Sequence, residues 1–338
     1  MYATVMYGPG DVRYEQVDDP KIIQPTDAII QMSATCICGS DLWPYRGIST
    51  QSEPTAMGHE YCGVVLEVGS AVNHIKPGQF VVGSFCLSDN TCPHCQFGFQ
   101  SSCEQREFML GAQAPYARVP LADGTLVATA EMPAQTMIPH MLAVSDVLGT
   151  GWYGAVAANV RTGGTVIVVG DGAVGLMAVM AARQLGAERI IAMSRHSDRQ
   201  RLAREFGATD IVEERGEAGI AQVMALTRGI GAESVIECVG MEESMDQALG
   251  VCRPGGSIGY VGVPHDVTFD GQQMFFAQKR MLGGPAPVRR FLPDLMDRVL
   301  HEKIQPGRVF DLTLAIADVA EGYRAMDERR AIKTLLEV

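Results

Sequence analysis

The spacing of apolar and polar positions changes character near residue 145. From Tyr2 to about Ser33, short alternating apolar runs are separated by Gly8-Pro9, Asp18-Asp19-Pro20 and Gln24-Pro25-Thr26-Asp27. A period of two broken by Gly, Pro and Asp predicts β-strands joined by tight turns. Val64–Val68, Phe80–Gly83 after the turn Lys76-Pro77-Gly78-Gln79, and Tyr116–Val119 repeat the pattern. Residues 1–145 therefore read as a β-rich domain.

Beyond Ala143 the period lengthens. Asp146–Ala155 begins a helical stretch, Gly163-Gly164 breaks it, and Thr165–Val169 is wholly apolar, as expected of a strand buried on both faces of a parallel sheet. A turn, Gly170-Asp171-Gly172-Ala173-Val174-Gly175, leads into a helix rich in Ala, Met and Leu, and Arg189–Met193 completes a βαβ unit. Further strands are expected over Ser234–Val239 and Ser257–Val261. Residues 146–284 predict an α/β domain with a doubly wound parallel sheet, the Rossmann arrangement. The tail, 285–338, shows helical stretches over Phe291–Glu302 and Ile316–Glu328 and a strand over Ile332–Leu336. It is expected to rejoin the first domain, with Gly283–Pro287 as the crossing.

A length of 338 residues suits two domains with a cleft between them. The formal net charge of −12 argues against nucleic acid, because phosphate binding needs clustered Lys and Arg. The most apolar stretch, Thr165–Ala182, is interrupted by Asp171 and its flanking glycines, so no membrane span is expected. Met1–Met6 lacks the basic and apolar segments of a signal peptide. Nine cysteines, four of them (Cys86, Cys92, Cys95, Cys103) close together in one loop, fit metal ligation in a reducing compartment better than a disulfide framework. A cytoplasmic location is the expectation.

The chemistry centres on Gly58-His59-Glu60-Tyr61-Cys62-Gly63, a glycine-bounded turn that runs into a strand. Upstream, Thr35-Cys36-Ile37-Cys38-Gly39-Ser40-Asp41 offers a thiol on another such turn. A thiolate and a neutral imidazole suit zinc, and a catalytic zinc takes three protein ligands and keeps one position open. Asp146, at the join of the domains, would complete Cys38 and His59 and balance the charge; a helix N-cap is its other reading. Gly170-x-Gly172-x-x-Gly175 lies between a buried strand and a helix. There it permits a tight turn and lets a pyrophosphate approach the helix N-terminus.

Taken together, Cys38-Gly39-Ser40-Asp41, Gly58-His59-Glu60-x-x-Gly63-x5-Gly69, the cysteine loop and the βαβ glycines occur in the order found in the zinc-containing medium-chain alcohol dehydrogenases, which the chain resembles along essentially its whole length. The resemblance implies a GroES-like catalytic domain and zinc-assisted hydride transfer. It implies that Cys38 and His59 bind the catalytic zinc with Asp146, since the third ligand is Cys in some members and Asp in others. It implies that Ser40 starts a proton relay, that Glu60 sits beside the metal, and that Thr150 lies near the nicotinamide. Tyr45 stands where some relatives carry a relay histidine. The loop resembles the family's structural zinc lobe, Cys-x2-Cys-x2-Cys-x7-Cys; Cys92, Cys95 and Cys103 match its last three positions, and Asp89, with Cys86 as the alternative, stands for the first.

A fold selective for NAD usually places Asp or Glu about 20 residues after its glycines, at the end of the second strand. Here the strand ends Ala192-Met193-Ser194-Arg195-His196 with no acid. Ser194, Arg195 and Arg199 can bind a 2′-phosphate, and His196 can assist, so NADP(H) is expected with Gly170, Gly172, Ala173, Val174 and Gly175 at the pyrophosphate. The resulting expectation is an NADP-dependent zinc alcohol dehydrogenase or carbonyl reductase acting on small or medium alcohols, ketones or aldehydes, as a homodimer or homotetramer. The alternatives are a polyol dehydrogenase, a zinc-free quinone or enone reductase, and a non-catalytic cofactor-binding protein.

Overall fold

In the computed structural model, which describes residues 1–49 and 54–338, the Ala28–Cys36 strand lies at the heart of a seven-stranded sheet. The order across that sheet is Leu126–Ala128, Phe80–Gly83, Tyr61–Val68, Ala28–Cys36, Thr334–Glu337, Leu312–Ala315, with Tyr116–Val119 also paired to Ala28–Cys36. Alternate residues Ala28, Ile30 and Met32 join Tyr61, Val65 and Val81 in one core cluster. A second cluster gathers Ile37, Leu42, Val319, Tyr323 and Leu336. Removing this apolar surface from water is what makes the alternating pattern fold as it does.

The chain divides into two units, Met1–Asp146 with Pro287–Val338 and Val147–Ala286. The periodicity opens the second domain at 146 and closes it at 284, whereas Asp146 belongs to the first unit and Ala286 to the second. The tail strand is Thr334–Glu337 rather than Ile332–Leu336. Its shorter start has a cause: the Asp311 carboxylate accepts the backbone N–H groups of Ile332 and Lys333, which are then lost to the ladder. The tail helices run Val288–Leu300 and, after a 3₁₀ turn at Ile316–Asp318, Val319–Asp327.

In the second unit six parallel strands follow the order Asp210–Val212, Arg189–Met193, Thr165–Val169, Ala232–Glu237, Cys252–Tyr260, Arg280–Gly283. This is the doubly wound order 3-2-1-4-5-6. Val166, Ile167 and Val168 have no exposed surface, as a strand covered on both faces requires. The strand expected over Ser234–Val239 ends at Glu237, whose Oε1 accepts the N–H groups of Val239 at 2.7 Å and Gly240 at 2.8 Å and turns the chain out of the sheet. Among the described residues, no helix is long and apolar enough to cross a membrane.

One close approach in the first unit admits only glycine. The Tyr61–Val68 strand meets Ala28–Cys36 with a register shift between Met32 and Ala34, and a Cβ at Gly63 would lie 2.0 Å from the Gln31 carbonyl oxygen. Gly63→Ala should therefore lower stability by about 1–3 kcal/mol, as overpacking does. Gly271→Ala, where no heavy atom lies within 4 Å of the new methyl, should not. Chemical denaturation followed by circular dichroism compares the two, and a Gly63→Ala midpoint equal to that of the parent would contradict this account of the strand pairing.

Candidate metal and cofactor sites

Antiparallel pairing of Ala28–Cys36 with Tyr61–Val68 sets Thr35 opposite Tyr61. The turn leaving the first strand, Gly39–Asp41, thus lies beside the turn entering the second, and Cys38 comes to His59 and Glu60. The Thr35 hydroxyl fastens this end by donating to the Glu60 carbonyl at 2.8 Å. Asp146 arrives from the turn after the Ile138–Val144 helix. Its Oδ2 lies 3.3 Å from His59 Nε2 and 3.8 Å from Cys38 Sγ. Ligand atoms of Cys38, His59, Glu60 and Asp146 all fall within 4.8 Å of one another, so the side chain of Asp146 reaches the cluster that its sequence position left open. One sulfur, one imidazole nitrogen and carboxylate oxygens, largely buried, are the donor types zinc takes.

Groups behind these four fix their orientation. Asp41 Oδ1 lies 3.4 Å from His59 Nδ1, turning Nε2 toward Asp146, while Asp41 Oδ2 accepts the Cys38 N–H at 3.0 Å. A carboxylate on the far nitrogen of a ligating imidazole is a recurring support for metal sites. Phe85 stands edge-on to the imidazole, ring centres 6.1 Å apart. Burial raises the Cys38 thiol pKa, with His59 partly offsetting it. Burial opposes charge on His59, yet Cys38, Asp41 and Asp146 raise its pKa well above the ordinary range.

Glu60 has an environment of its own. Its Oε1 accepts from Lys333 Nζ at 2.6 Å, both residues being fully buried, and Lys333 also donates to the Ile37 carbonyl at 3.1 Å. Burial raises the Glu60 pKa despite this partner. Among the described residues, the buried Glu60 Oε2 has no hydrogen-bond partner. Neither Lys333 nor Asp41 emerges as a functional residue from sequence reasoning; a lysine just before the Thr334–Glu337 strand, near Leu335 and Leu336, was the available signal for the first. Ser40 sits half-buried in the same turn as Asp41. Tyr45 packs on Tyr323, ring centres 5.5 Å apart.

A second donor set joins Asp89, Cys92, Cys95 and Cys103 within the same 4.8 Å limit. Cys86 is not in it; that residue lies fully buried in the Cys86–Leu87 strand, and burial pushes its thiol up to about 12. Asp89 Oδ1 accepts the N–H groups of Thr91 at 2.8 Å and Cys92 at 3.0 Å. Burial would raise its pKa, but these bonds and the neighbouring thiols hold it down to about 2. Three thiols and one ionised carboxylate fit a closed structural zinc site by type.

In the second unit, Gly170 takes φ +111°, and a Cβ on Gly175 would sit 2.0 Å from the Gly170 carbonyl, so both must be glycine. Gly172 caps the Ala173–Gln184 helix without a side-chain bond, and a Cβ there would meet nothing within 4 Å. The first-turn N–H groups of Ala173, Val174 and Gly175 thus lie at an open helix N-terminus, which fits a pyrophosphate. Thr150 is buried in the Val147–Ala157 helix. Ser194 follows the Arg189–Met193 strand, with its hydroxyl donating to Asp171 Oδ2 at 3.0 Å. Arg199 Nη1 lies 3.1 Å from Asp171 Oδ1, Arg195 is exposed, and His196 caps the Ser197–Phe206 helix.

Comparison with known proteins finds two matching domain families. The alcohol dehydrogenase GroES-like domain matches residues 24–141, and the zinc-binding dehydrogenase domain matches residues 173–299. Zinc-type alcohol dehydrogenase B of Aspergillus flavus is 31% identical over the whole of this chain and 81% of its own length. The NADP-dependent isopropanol dehydrogenase of Clostridium beijerinckii is 30% identical over 89% of this chain and 88% of its own. The alcohol dehydrogenase from Thermus sp. ATN1 superposes over the full length of both chains with a TM-score of 0.92 at 30% identity. Similarity of this extent, in sequence and in fold, assigns the chain to the zinc-containing medium-chain alcohol dehydrogenase family of oxidoreductases.

Proposed function

We propose that this protein transfers a hydride between NADP(H) and a small or medium alcohol, ketone or aldehyde. The observation that carries this reading is the convergence of Cys38, His59, Glu60 and Asp146 on one buried point. Zinc held there would supply Lewis acidity to the carbon–oxygen group of the substrate, with a nicotinamide as the hydride carrier. Cys38, His59 and Asp146 would be the ligands, and the two negative charges of thiolate and carboxylate would match a divalent cation. Asp41 keeps the imidazole turned inward. Ser40 would start a proton relay, accepting the proton that leaves the alcohol while its own hydroxyl proton passes on toward solvent, with the reverse order in the reductive direction. Glu60 would stay beside the ligands, anchored through Oε1 to Lys333, with Oε2, which has no hydrogen-bond partner among the described residues, available as a further donor.

The same reading gives Asp89, Cys92, Cys95 and Cys103 a structural zinc, and Gly170 to Gly175 the pyrophosphate. NADP(H) preference rests on the missing acid at the end of the Arg189–Met193 strand and on the exposed guanidinium of Arg195 beside it. The NADP dependence of the Clostridium relative is in keeping with it. A homodimer or homotetramer in the cytoplasm completes the proposal. The edge strand Arg280–Gly283, with exposed Leu282, and the exposed pair Phe275 and Phe276 support self-association.

Cys38→Ser, His59→Ala and Asp146→Ala should each cost roughly a hundredfold or more in turnover. NADPH binding, read by fluorescence, should persist because the glycine turn is untouched. Full turnover by His59→Ala with its zinc retained would refute the ligand set. Metal analysis of the parent should give about two zinc ions per chain. Asp89→Ala should hold about one and unfold at lower temperature, while Cys86→Ala keeps both; a single zinc in the parent would sink the structural site. Finally, kcat/KM should favour NADPH over NADH. Arg195→Ala should weaken NADPH by about ten- to a hundredfold, the equivalent of a contact of roughly 1.5–3 kcal/mol, with NADH nearly unchanged. A parent that prefers NADH would overturn the cofactor assignment.

A further inference from the structure

Parallel pairing of Thr165–Val169 with Arg189–Met193 places Val169 opposite Met193. The residues just past both strand ends are therefore neighbours, and Asp171 of the glycine turn meets Ser194. Asp171 is 8% exposed. Its Oδ2 accepts the Ser194 hydroxyl at 3.0 Å and the Arg195 backbone N–H at 3.2 Å, and its Oδ1 pairs with Arg199 Nη1 at 3.1 Å. Gln200 fixes the same strand end by donating to the Ser194 carbonyl at 2.9 Å. Two of the groups suited to a 2′-phosphate, the Ser194 hydroxyl and Arg199, are thus already engaged by an anion.

We propose that Asp171 is the residue that sets cofactor selectivity: by pairing with Arg199 and taking the Ser194 hydroxyl, its carboxylate limits how strongly this strand end favours a 2′-phosphorylated adenosine ribose over an unphosphorylated one. The proposal rests on the reading that this strand end receives the adenosine ribose. A carboxylate has about four acceptor positions, and three are filled here, so Asp171 has little capacity left to take the ribose hydroxyls as the usual strand-end acid does. Its effect is one of charge. Arg199 and Asp171 together are neutral, which leaves the exposed guanidinium of Arg195 as a cation of the strand end that Asp171 does not pair with among the described residues. The side chains of Arg199 and Asp171 are only 14% and 9% exposed, so water screens this anion incompletely from a neighbouring phosphate.

The test uses the full-length zinc-loaded protein and calorimetric binding of two probes, adenosine 2′,5′-bisphosphate and 5′-AMP, with NADPH and NADH fluorescence titrations alongside. Asp171→Asn keeps the volume and an acceptor oxygen but removes the charge. It should tighten the bisphosphate and NADPH by about tenfold and leave 5′-AMP and NADH within about twofold. Arg199→Ala exposes the phosphate to an unpaired carboxylate and should weaken the bisphosphate by about tenfold or more, whereas Asp171→Asn with Arg199→Ala should return it close to the parent value. A purely structural role for the pair predicts parallel losses for both probes and no recovery in the double variant. That result, or an Asp171→Asn protein of unchanged fold and unchanged selectivity ratio, would overturn the proposal. Should Asp171→Asn fold poorly, the comparison of Arg199→Ala with the double variant still decides. A parent that prefers NADH refutes the NADP(H) assignment alone, because the shift in ratio on removing the Asp171 charge is expected whatever the starting preference.

Discussion

The first unit depends on two of the three antiparallel ladders made by the Ala28–Cys36 strand. One sets Thr35 against Tyr61, and the other sets Cys36 against Leu335. Because antiparallel partners run in opposite directions, the C-terminal end of the central strand meets the beginning of Tyr61–Val68 and the beginning of Thr334–Glu337 at one place. Cys38, His59, Glu60 and Lys333 follow from that geometry. A slip of one residue in either ladder would turn the alternating side chains to the opposite face and disperse the donor set along with the core.

Both units solve the same electrostatic problem, a carboxylate held away from water. In the first, Glu60 is fully buried and answered by an equally buried Lys333, itself anchored on the Ile37 carbonyl. In the second, Asp171 is answered by Arg199, Ser194 and a backbone N–H, and these partners hold its pKa down although burial alone would raise it. Breaking a buried pair by removing one member typically costs about 3–5 kcal/mol, since the surviving charge is left without compensation. The pairs differ in what they leave over. Glu60 keeps one oxygen without a hydrogen-bond partner among the described residues, beside Cys38, His59 and Asp146, whereas the carboxylate of Asp171 is taken up by Ser194, Arg195 and Arg199.

Much of this was legible in the sequence, and the limits have physical causes. The period-two runs and the apolar Thr165–Val169 strand report burial on one face or two, which a chain records locally. Cys38 and His59 stood out because glycines bound their turns, and the glycine turn stood out because strand and helix enclose it. Strand ends were less legible. Asp311 draws off the N–H groups of Ile332 and Lys333, and Glu237 draws off those of Val239 and Gly240. Those bonds depend on where a distant or turning side chain lands. The pairing of Asp171 with Arg199 was hidden for the same reason: 28 positions separate them, and only the register of two parallel strands brings them together.

The bond between Lys333 and Glu60 also spans 273 positions of sequence. During synthesis, which proceeds at about 5–20 residues per second, the turn carrying His59 and Glu60 is made long before the segment that neutralises Glu60. The nascent first unit therefore carries an open sheet edge where Thr334–Glu337 will pair, and a carboxylate without its cation. The second unit, continuous from Val147 to Ala286, has all its strands by then. The order of assembly is thus written into the chain: the doubly wound fold can close while translation continues, and the fold that carries Cys38, His59 and Glu60 is sealed by the strand Thr334–Glu337.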